Sequence, residues 1–340
     1  MATREPAPTR DEPRFPADRV TGRGRGWYRG DCHVHTVLST GGELTADQLA
    51  VAARRAGLDF IVTTEHNTAD GHAVWAEPAG DDLLVIAGQE VVTATGHWLA
   101  LGVPRGAVVD WRHRAGDGGI DRQLDRVRSS GGLSVVAHPY APYPSGRFEY
   151  PQQGFDAVEV WNGRWASDLP WNADNEAALA EWADGLAAAV RSGRWRPAIG
   201  NSDVHLADQI GEPHTVVLAD ELSADGVLAG LRAGRCWVAQ MAGIELSVTA
   251  AAGGRRAGPG DRLTATRDEP VVFAVEVAGV PRGVVSLHTD RGEARRATLP
   301  RHGAGALRWS TTAGESLFVR VEVRHRNGEM AALANPVILG

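Results

Sequence analysis

Apolar residues in this chain come in short runs that stop abruptly at polar ones, and the runs alternate with stretches of helical spacing. The first run starts at Trp27-Tyr28 and carries to Thr36. A helix is predicted over 45–56, with Thr45 as its N-cap and Gly57 as its stop. A second apolar strand over 58–64 ends at Glu65-His66-Asn67. The same unit recurs: 83–86 runs through Gly88 to Glu90, and 96–102 returns as its hairpin partner. A helical segment near 120–130 leads into a strand over 133–137 that ends at His138-Pro139. The run over 155–160 ends at Trp161-Asn162-Gly163. The strongest helical pattern, alanine-rich, covers 173–191 and closes at Gly193. The run over 197–200 ends at N-S-D-V-H, and a strand over 215–218 with a helix over 223–233 finishes this half.

Strands alternating with helices imply a parallel sheet, and repetition over about 200 residues implies a barrel with its chemistry at the strands' C-terminal ends. After Met241 the texture changes. Runs over 244–249, 271–277, 284–289, 306–311 and 317–326 alternate apolar and polar residues between Gly, Pro and Asp, which predicts an antiparallel β-sandwich. The expected organisation is a flexible arm over 1–26, an α/β barrel over 27–242 and the sandwich over 243–340.

Composition narrows the classes. The apolar fraction of 43% and charged fraction of 23% suit a globular protein, and no apolar run approaches the ~20 residues that span a bilayer. The N-terminal stretch has no apolar core of the secretory kind, so a cytoplasmic location is expected. Two cysteines, Cys32 and Cys236, fit a reducing compartment and give no disulfide framework. A net charge of −7 argues against a nucleic-acid polymer as partner and leaves a small molecule. All 35 basic residues are arginine, which excludes lysine Schiff bases, Walker-type phosphate loops and lysine-bridged metal pairs.

The stretch D-C-H-V-H-T over 31–36 holds the first candidate chemistry. On a strand, residues i and i+2 share a face, so His33 and His35 aim at one point while Cys32 and Val34 face away. Candidate partners at later strand ends are Glu65 or His66, Glu90, His97, His138, Asp203 and His205. Imidazole with carboxylate is the donor set that zinc, manganese and iron accept, and Glu90 is placed to bridge two ions. Trp161 and Asn162 are candidates for a pocket wall, and Arg164 or Arg29 for pairing with an anionic substrate group. His214, His288, His302 and His325 are expected to have no ligand role.

His-x-His in D-C-H-V-H-T, E-H-N after T-T, G-Q-E followed by G-H-W-L-A-L-G, A-H-P and N-S-D-V-H together resemble the PHP (polymerase and histidinol phosphatase) superfamily over residues 27–242. T-T-E-H-N and V-E-V-W-N-G are similar to its CehA/McbA branch of carbaryl-hydrolase-like metallohydrolases. The resemblance implies a distorted (β/α)7 barrel followed here by the small sandwich. It also implies two divalent ions, zinc, manganese or iron. One would be held by His33, His35, Glu90 and Asp203, and the second by Glu90, His97 and His138. A third ion in some members uses counterparts of His66 and His205 with an acidic or histidine residue where this chain has Thr40. His66 and His205 are therefore expected either to bind a third ion weakly with Glu65 or to act as acid and base. The implied reaction is hydrolysis by a metal-activated hydroxide, with a small-molecule phosphoester or phosphodiester as the leading substrate. A carbamate or aryl ester is the alternative, and a binding protein with structural metal is the non-enzymatic one.

Overall fold

The computed structural model describes residues 15–340. Seven strands lie side by side in chain order: β1 (Gly26–Val34), β2 (Phe60–Thr63), β3 (Leu84–Thr93), β4 (Gly96–Leu101), β5 (Leu133–Val136), β6 (Ala157–Asn162) and β7 (Ala198–Asn201). The pairs β1–β2, β2–β3, β5–β6 and β6–β7 are parallel, whereas β4 runs antiparallel to both its neighbours. The last strand also meets the first: Val34 bridges Val204 in parallel, and the Cys32 N–H donates to Asn201 Oδ1 at 2.9 Å.

Among the described residues four α-helices flank these strands: α1 (Ala46–Arg55), α2 (Gly119–Ser129), α3 (Asn175–Arg191) and α4 (Ala224–Arg232). Local chemistry sets their ends. Thr45 caps α1 in a reciprocal capping box with Gln48, and Ala46, Leu49, Ala50 and Ala53 at helical spacing are its buried stripe. Asp174 accepts from the Ala177 N–H at 3.0 Å, which starts α3 two residues later than the alanine pattern predicts.

The strand–helix alternation is interrupted between β3 and β4, between β5 and β6, and again after β7. Two further strands, β8 (His214–Ala219) and β9 (Cys236–Ala239), run antiparallel, β8 to β1 and β9 to β8. The remaining strands are β10 (Glu245–Ala252), β11 (Arg255–Ala257), β12 (Arg262–Leu263), β13 (Val271–Ala278), β14 (Val284–Thr289), β15 (Gly292–Thr298), β16 (Gly305–Thr311), β17 (Phe318–Arg324) and β18 (Met330–Leu339). One antiparallel sheet has the order β11-β10-β13-β16. The others continue the first sheet: β9 pairs with β18, β18 with β17, β17 with β14 and β14 with β15. Val248, Phe273 and Val275 from one layer and Leu287, Val319 and Val321 from the other share one core. No gap in the sheet separates this part from the strands before it. Asn335 reinforces the joint, exchanging hydrogen bonds of 2.8 and 2.9 Å with Ala198 and donating to Cys236 O at 3.1 Å.

Of the arm expected over 1–26, residues 1–14 lie outside the described residues. From Pro16 onward the chain is tied down, because Val20 N–H donates to Leu222 O, Leu222 N–H donates to Arg23 O, and Arg105 reaches Pro16 O and Asp18. No helix among the described residues is long and apolar enough to cross a membrane.

His214 opens β8 with no exposed surface, Nδ1 2.9 Å from Gly211 O and Nε2 3.2 Å from Arg29 Nη1. Burial pushes its pKa down to about 4. The unfolded chain therefore binds the extra proton first, and the stability contributed by the neutral ring is lost as pH falls from about 6.5 toward 4, by about 3 kcal/mol. Asp31, pushed up to about 6 by its own burial, acts in the opposite sense. Its effect cancels when wild type and His214→Gln are compared. Urea unfolding at pH 7 and pH 4.5 should show a smaller acid loss in the variant; equal losses would contradict this account.

Candidate metal centre

Parallel strands deliver their last residues to one end of a sheet. Here β1 brings His33 and His35, β3 brings Glu90, and the turns after β2, β5 and β7 bring His66, His138, Asp203 and His205. His97 arrives differently. It lies at the beginning of β4, not at a strand's C-terminal end as expected, because β4 runs backward beside β3.

Glu90, 1% exposed, is the hub. Its Oε1 lies 2.9 Å from His97 Nδ1 and 3.1 Å from His138 Nε2. Its Oε2 lies 3.4 Å from the Nε2 atoms of both His33 and His35 and 2.9 Å from His66 Nε2. Asp203 Oδ1 closes the other side, 3.3 Å from His33 Nε2 and 3.0 Å from His35 Nε2. The rings of His66 and His205 each lie 4.5 Å from that of His35.

Among the described residues, five buried atoms of this ring, His33 Nε2, His35 Nε2, His97 Nε2, His138 Nδ1 and Asp203 Oδ1, make no hydrogen bond of good angle, however close some of them lie to one another. One such orphan costs about 1–3 kcal/mol, and three of them, His33 Nε2, His35 Nε2 and Asp203 Oδ1, face one another and mark a place for a cation, whereas His97 and His138 turn their other ring nitrogens to Glu90. Three sets have donor atoms within 4.8 Å of one another: His33, His35 and Asp203; His33, Glu90 and His138; and His35, His66 and His205. These clusters could hold divalent ions. The third set joins His66 and His205 to His35, while Thr40, at the position where an acid was sought, lines the cavity beside them.

Charge follows from the same crowding. Burial alone would raise the pKa of Glu90, but His33, His66, His97 and His138 outweigh it and hold the carboxyl well below its usual range. Asp203 is held down likewise against its burial, chiefly by His33 and His35. Burial opposes a proton on His33, yet Asp203, Glu159 and Glu90 prevail and raise it well above 6.5, while burial pushes His35 down to about 3. Two carboxylates thus stay ionised at neutral pH, and a proton on His33 stands where a cation's charge would otherwise be. Cation capture would release protons.

Glu159 was not among the candidates read from sequence. Its buried carboxylate accepts from His33 Nδ1 at 3.1 Å, the His138 N–H at 2.9 Å, Asn162 Nδ2 at 3.1 Å and Asn201 Nδ2 at 2.8 Å. It thereby fixes the tautomer of His33 and leaves Nε2 free to coordinate. A lone charge within the apolar strand A-V-E-V-W-N was the signal. Glu159→Gln places an amide donor among four donors, and metal affinity is expected to fall about 10–100-fold. Competition against a coloured chelator measures this, and wild-type affinity would rule the role out.

Glu65 does not join the ring. Its Oε1 accepts from the Thr36 N–H at 2.9 Å and Thr36 Oγ1 at 2.6 Å, and its Oε2 accepts from Ser39 Oγ, which lies 3.1 Å from His35 Nδ1. It orients His35 through Ser39. Trp161, expected at a pocket wall, is fully buried, edge-on to Trp165 at 5.0 Å. A bulge explains this: pairing with β7 slips between Glu159 and Trp161, so Trp161 joins Val158 and Val160 on the outer face while Asn162 turns inward. There Asn162 Nδ2 lies 3.2 Å from Asp203 Oδ2. Arg164 lies at the rim, ion-paired with Asp208 at 3.0 Å, whereas Arg29 is turned to His214 and Glu245 away from the ring.

The ring opens into a cavity of about 400 Å³ whose walls include Tyr143, Arg164, Leu169, Trp171 and Glu212. The segment from 163 to 174, between β6 and α3, carries much of that wall. Its base is held by Asn175, which exchanges hydrogen bonds with the backbone of Asn162, and by Glu176. Glu176 accepts from Trp165 Nε1 at 2.9 Å and from Arg324 Nη2 of β17 at 3.1 Å, and Arg324 Cζ lies 5.4 Å from the centre of the Trp165 ring.

Comparison with curated proteins finds no match. A family model described as PHP-associated matches residues 182–236, from within α3 to the start of β9, a stretch that includes Asp203 and His205. Among solved structures, the chain is similar to a two-domain protein from Bacteroides vulgatus containing a predicted PHP-like metal-dependent phosphoesterase, with a TM-score of 0.49, 16% identity, and coverage of 98% of this chain and 100% of that one. It is also similar to PsfC from Pseudomonas syringae, with a TM-score of 0.44, 16% identity, and coverage of 61% and 89% respectively. A third is the lesion-specific endonuclease PfuEndoQ from Pyrococcus furiosus, with a TM-score of 0.41, 14% identity, and coverage of 61% and 56%. The family signal over residues 182–236 is thus a PHP-associated one.

Proposed function

We propose that this protein is a metal-dependent hydrolase of the PHP type that cleaves an ester, in the leading reading a phosphoester or phosphodiester, of a small molecule. The observation that supports it most is Glu90, a buried carboxylate whose two oxygens face separate groups of imidazoles. In this reading His33, His35, Glu90 and Asp203 hold one divalent ion and Glu90, His97 and His138 a second, and strands β1–β7 are the distorted (β/α)7 barrel. The PHP-associated match over 182–236 agrees with it. T-T-E-H-N and V-E-V-W-N-G favour the CehA/McbA branch.

Divalent zinc, manganese or iron would supply a nucleophile at neutral pH and polarise the substrate's oxygen. The chain's own residues do the rest. Glu90 and Asp203 provide the negative charge that retains cations, and Glu159, Ser39 and Asn162 hold the donors in orientation. His66 and His205, each with 26% of its side chain exposed at the cavity, are placed to pass a proton to the leaving group. A structural site usually closes on four protein ligands, whereas this donor set is larger and faces an open cavity, which favours catalysis over a binding protein. A second reading, hydrolysis of a carbamate or aryl ester, is favoured by Trp171 at the wall.

The test is turnover of p-nitrophenyl phosphate, bis-p-nitrophenyl phosphate and 1-naphthyl N-methylcarbamate by protein loaded with each metal. Hydrolysis should vanish on chelation and return with the ion, at two ions per chain by elemental analysis. A preparation that takes up no divalent ion sinks the proposal.

A further inference from the structure

The segment that follows His138 serves two cavities. Tyr143 lines the one over the metal centre, whereas Pro139, Tyr140, Arg147 and Gln152, with residues of α3, line another of about 460 Å³. The two share no lining residue.

Charge sets the second cavity apart. Its wall holds two arginines, Arg147 and Arg196, and one carboxylate, Glu181, which leaves one net positive charge in a chain whose own net charge is −7. Neither arginine has a carboxylate within 4.0 Å among the described residues. The Arg196 guanidinium is held by neutral oxygens, donating to Gln152 O at 3.0 Å and to Gln152 Oε1 at 3.3 Å, and its buried Nε makes no hydrogen bond. Burial lowers its pKa, and Glu181, which accepts from Gln152 Nε2 at 2.9 Å, offsets that only in part. A guanidinium fixed in place without a counterion is ready to receive one, because its planar fork matches the oxygens of a carboxylate or phosphate.

Gly185 supplies an independent sign. It lies inside α3, seventeen residues long, where glycine weakens a helix, yet a Cβ at this position would meet no atom within 4 Å. Packing therefore does not demand a glycine. What the missing side chain leaves is open space in the cavity wall.

We propose that this cavity is a binding site for a small oxyanion, the carboxylate or phosphate group of a small molecule, held by Arg147 and Arg196 in the room that Gly185 leaves. One net positive charge matches one anionic group, and the volume suits a small ligand. The site is separate from the imidazole ring and stands whether or not that ring hydrolyses an ester.

Propionate and methylphosphonate are the probes, each titrated into zinc-loaded full-length wild type, Arg147→Gln and Gly185→Leu with binding read by ligand-detected NMR, while elemental analysis and thermal melts compare the three proteins. Wild type should bind at least one probe, and Arg147→Gln should bind it about tenfold or more weakly. Gly185→Leu should show no binding at this site and melt no lower than wild type, since leucine fills the space and is the better helix former. Binding of propionate alone makes this a carboxylate site, and binding of methylphosphonate alone a phosphate site. Equal binding by all three proteins, as for an anion seated on zinc, or no binding by wild type, overturns the proposal. Should Gly185→Leu melt lower than wild type, the comparison of wild type with Arg147→Gln, a change at an exposed position, decides the matter.

Discussion

Glu90→Gln is expected to lose its divalent ions and, with them, essentially all hydrolysis. Each oxygen of this carboxylate serves a different set of imidazoles, so the amide removes charge from both proposed sites and turns one acceptor into a donor aimed at nitrogen atoms. The fall in metal affinity should exceed the roughly 100-fold that a supporting residue costs. Stability should fall too. His33 would keep its buried charge with only Asp203 and Glu159 to face it, and breaking a buried pair from one side costs up to about 3–5 kcal/mol. Elemental analysis and urea unfolding of the metal-free proteins read the two effects separately. A variant that retained wild-type ion content would remove Glu90 from the centre.

A chain ended after residue 242 should fail to fold. The partition into a barrel and a sandwich invites that cut, but β18 seals the edge of β9, and Phe318, Met330, Leu333 and Ile338 share a core with Val158, Val160, Trp161 and Trp182. Uncovering large apolar side chains costs about 1.5–3 kcal/mol each, so four of them approach the ~5–15 kcal/mol that holds a whole domain together. The cut also strips Ala198 of its bond to Asn335 and leaves β9 as a bare edge, a template for aggregation. Residues 15–242 expressed alone should be insoluble or lack a cooperative melt. A soluble fragment that melts sharply and binds metal would establish two independent units.

The residues of the candidate centre were legible because they obey local rules. His33 and His35 show the period of a strand, His138 and Asp203 follow apolar runs that mark where strands stop, and Glu90 interrupts such a run within β3. What escaped depends on contacts between distant parts of the chain. The bulge that buries Trp161 and turns Asn162 inward is a property of the β6–β7 pairing, invisible in either strand alone. Trp171 sits in a segment without period, so nothing local separates it from other surface tryptophans. The continuity of the sheet from β9 into β18 joins residues some ninety positions apart. Glu65 was ambiguous for another reason: neighbouring residues Glu65 and His66 cannot both face one point, and the structure sends Glu65 to Thr36 and Ser39.

His138 and Asp203 both have left-handed backbone, with φ of +24° and +50°, a region that side-chain-bearing residues avoid. Neither residue would choose that geometry alone; the surrounding hydrogen bonds impose it. The donors are consequently poised in advance, and an arriving ion need not recruit them from a wandering ensemble. Little ordering entropy is then left for capture to spend, so selectivity among ions would be set by the fixed span of the ring and not by how far it can adapt.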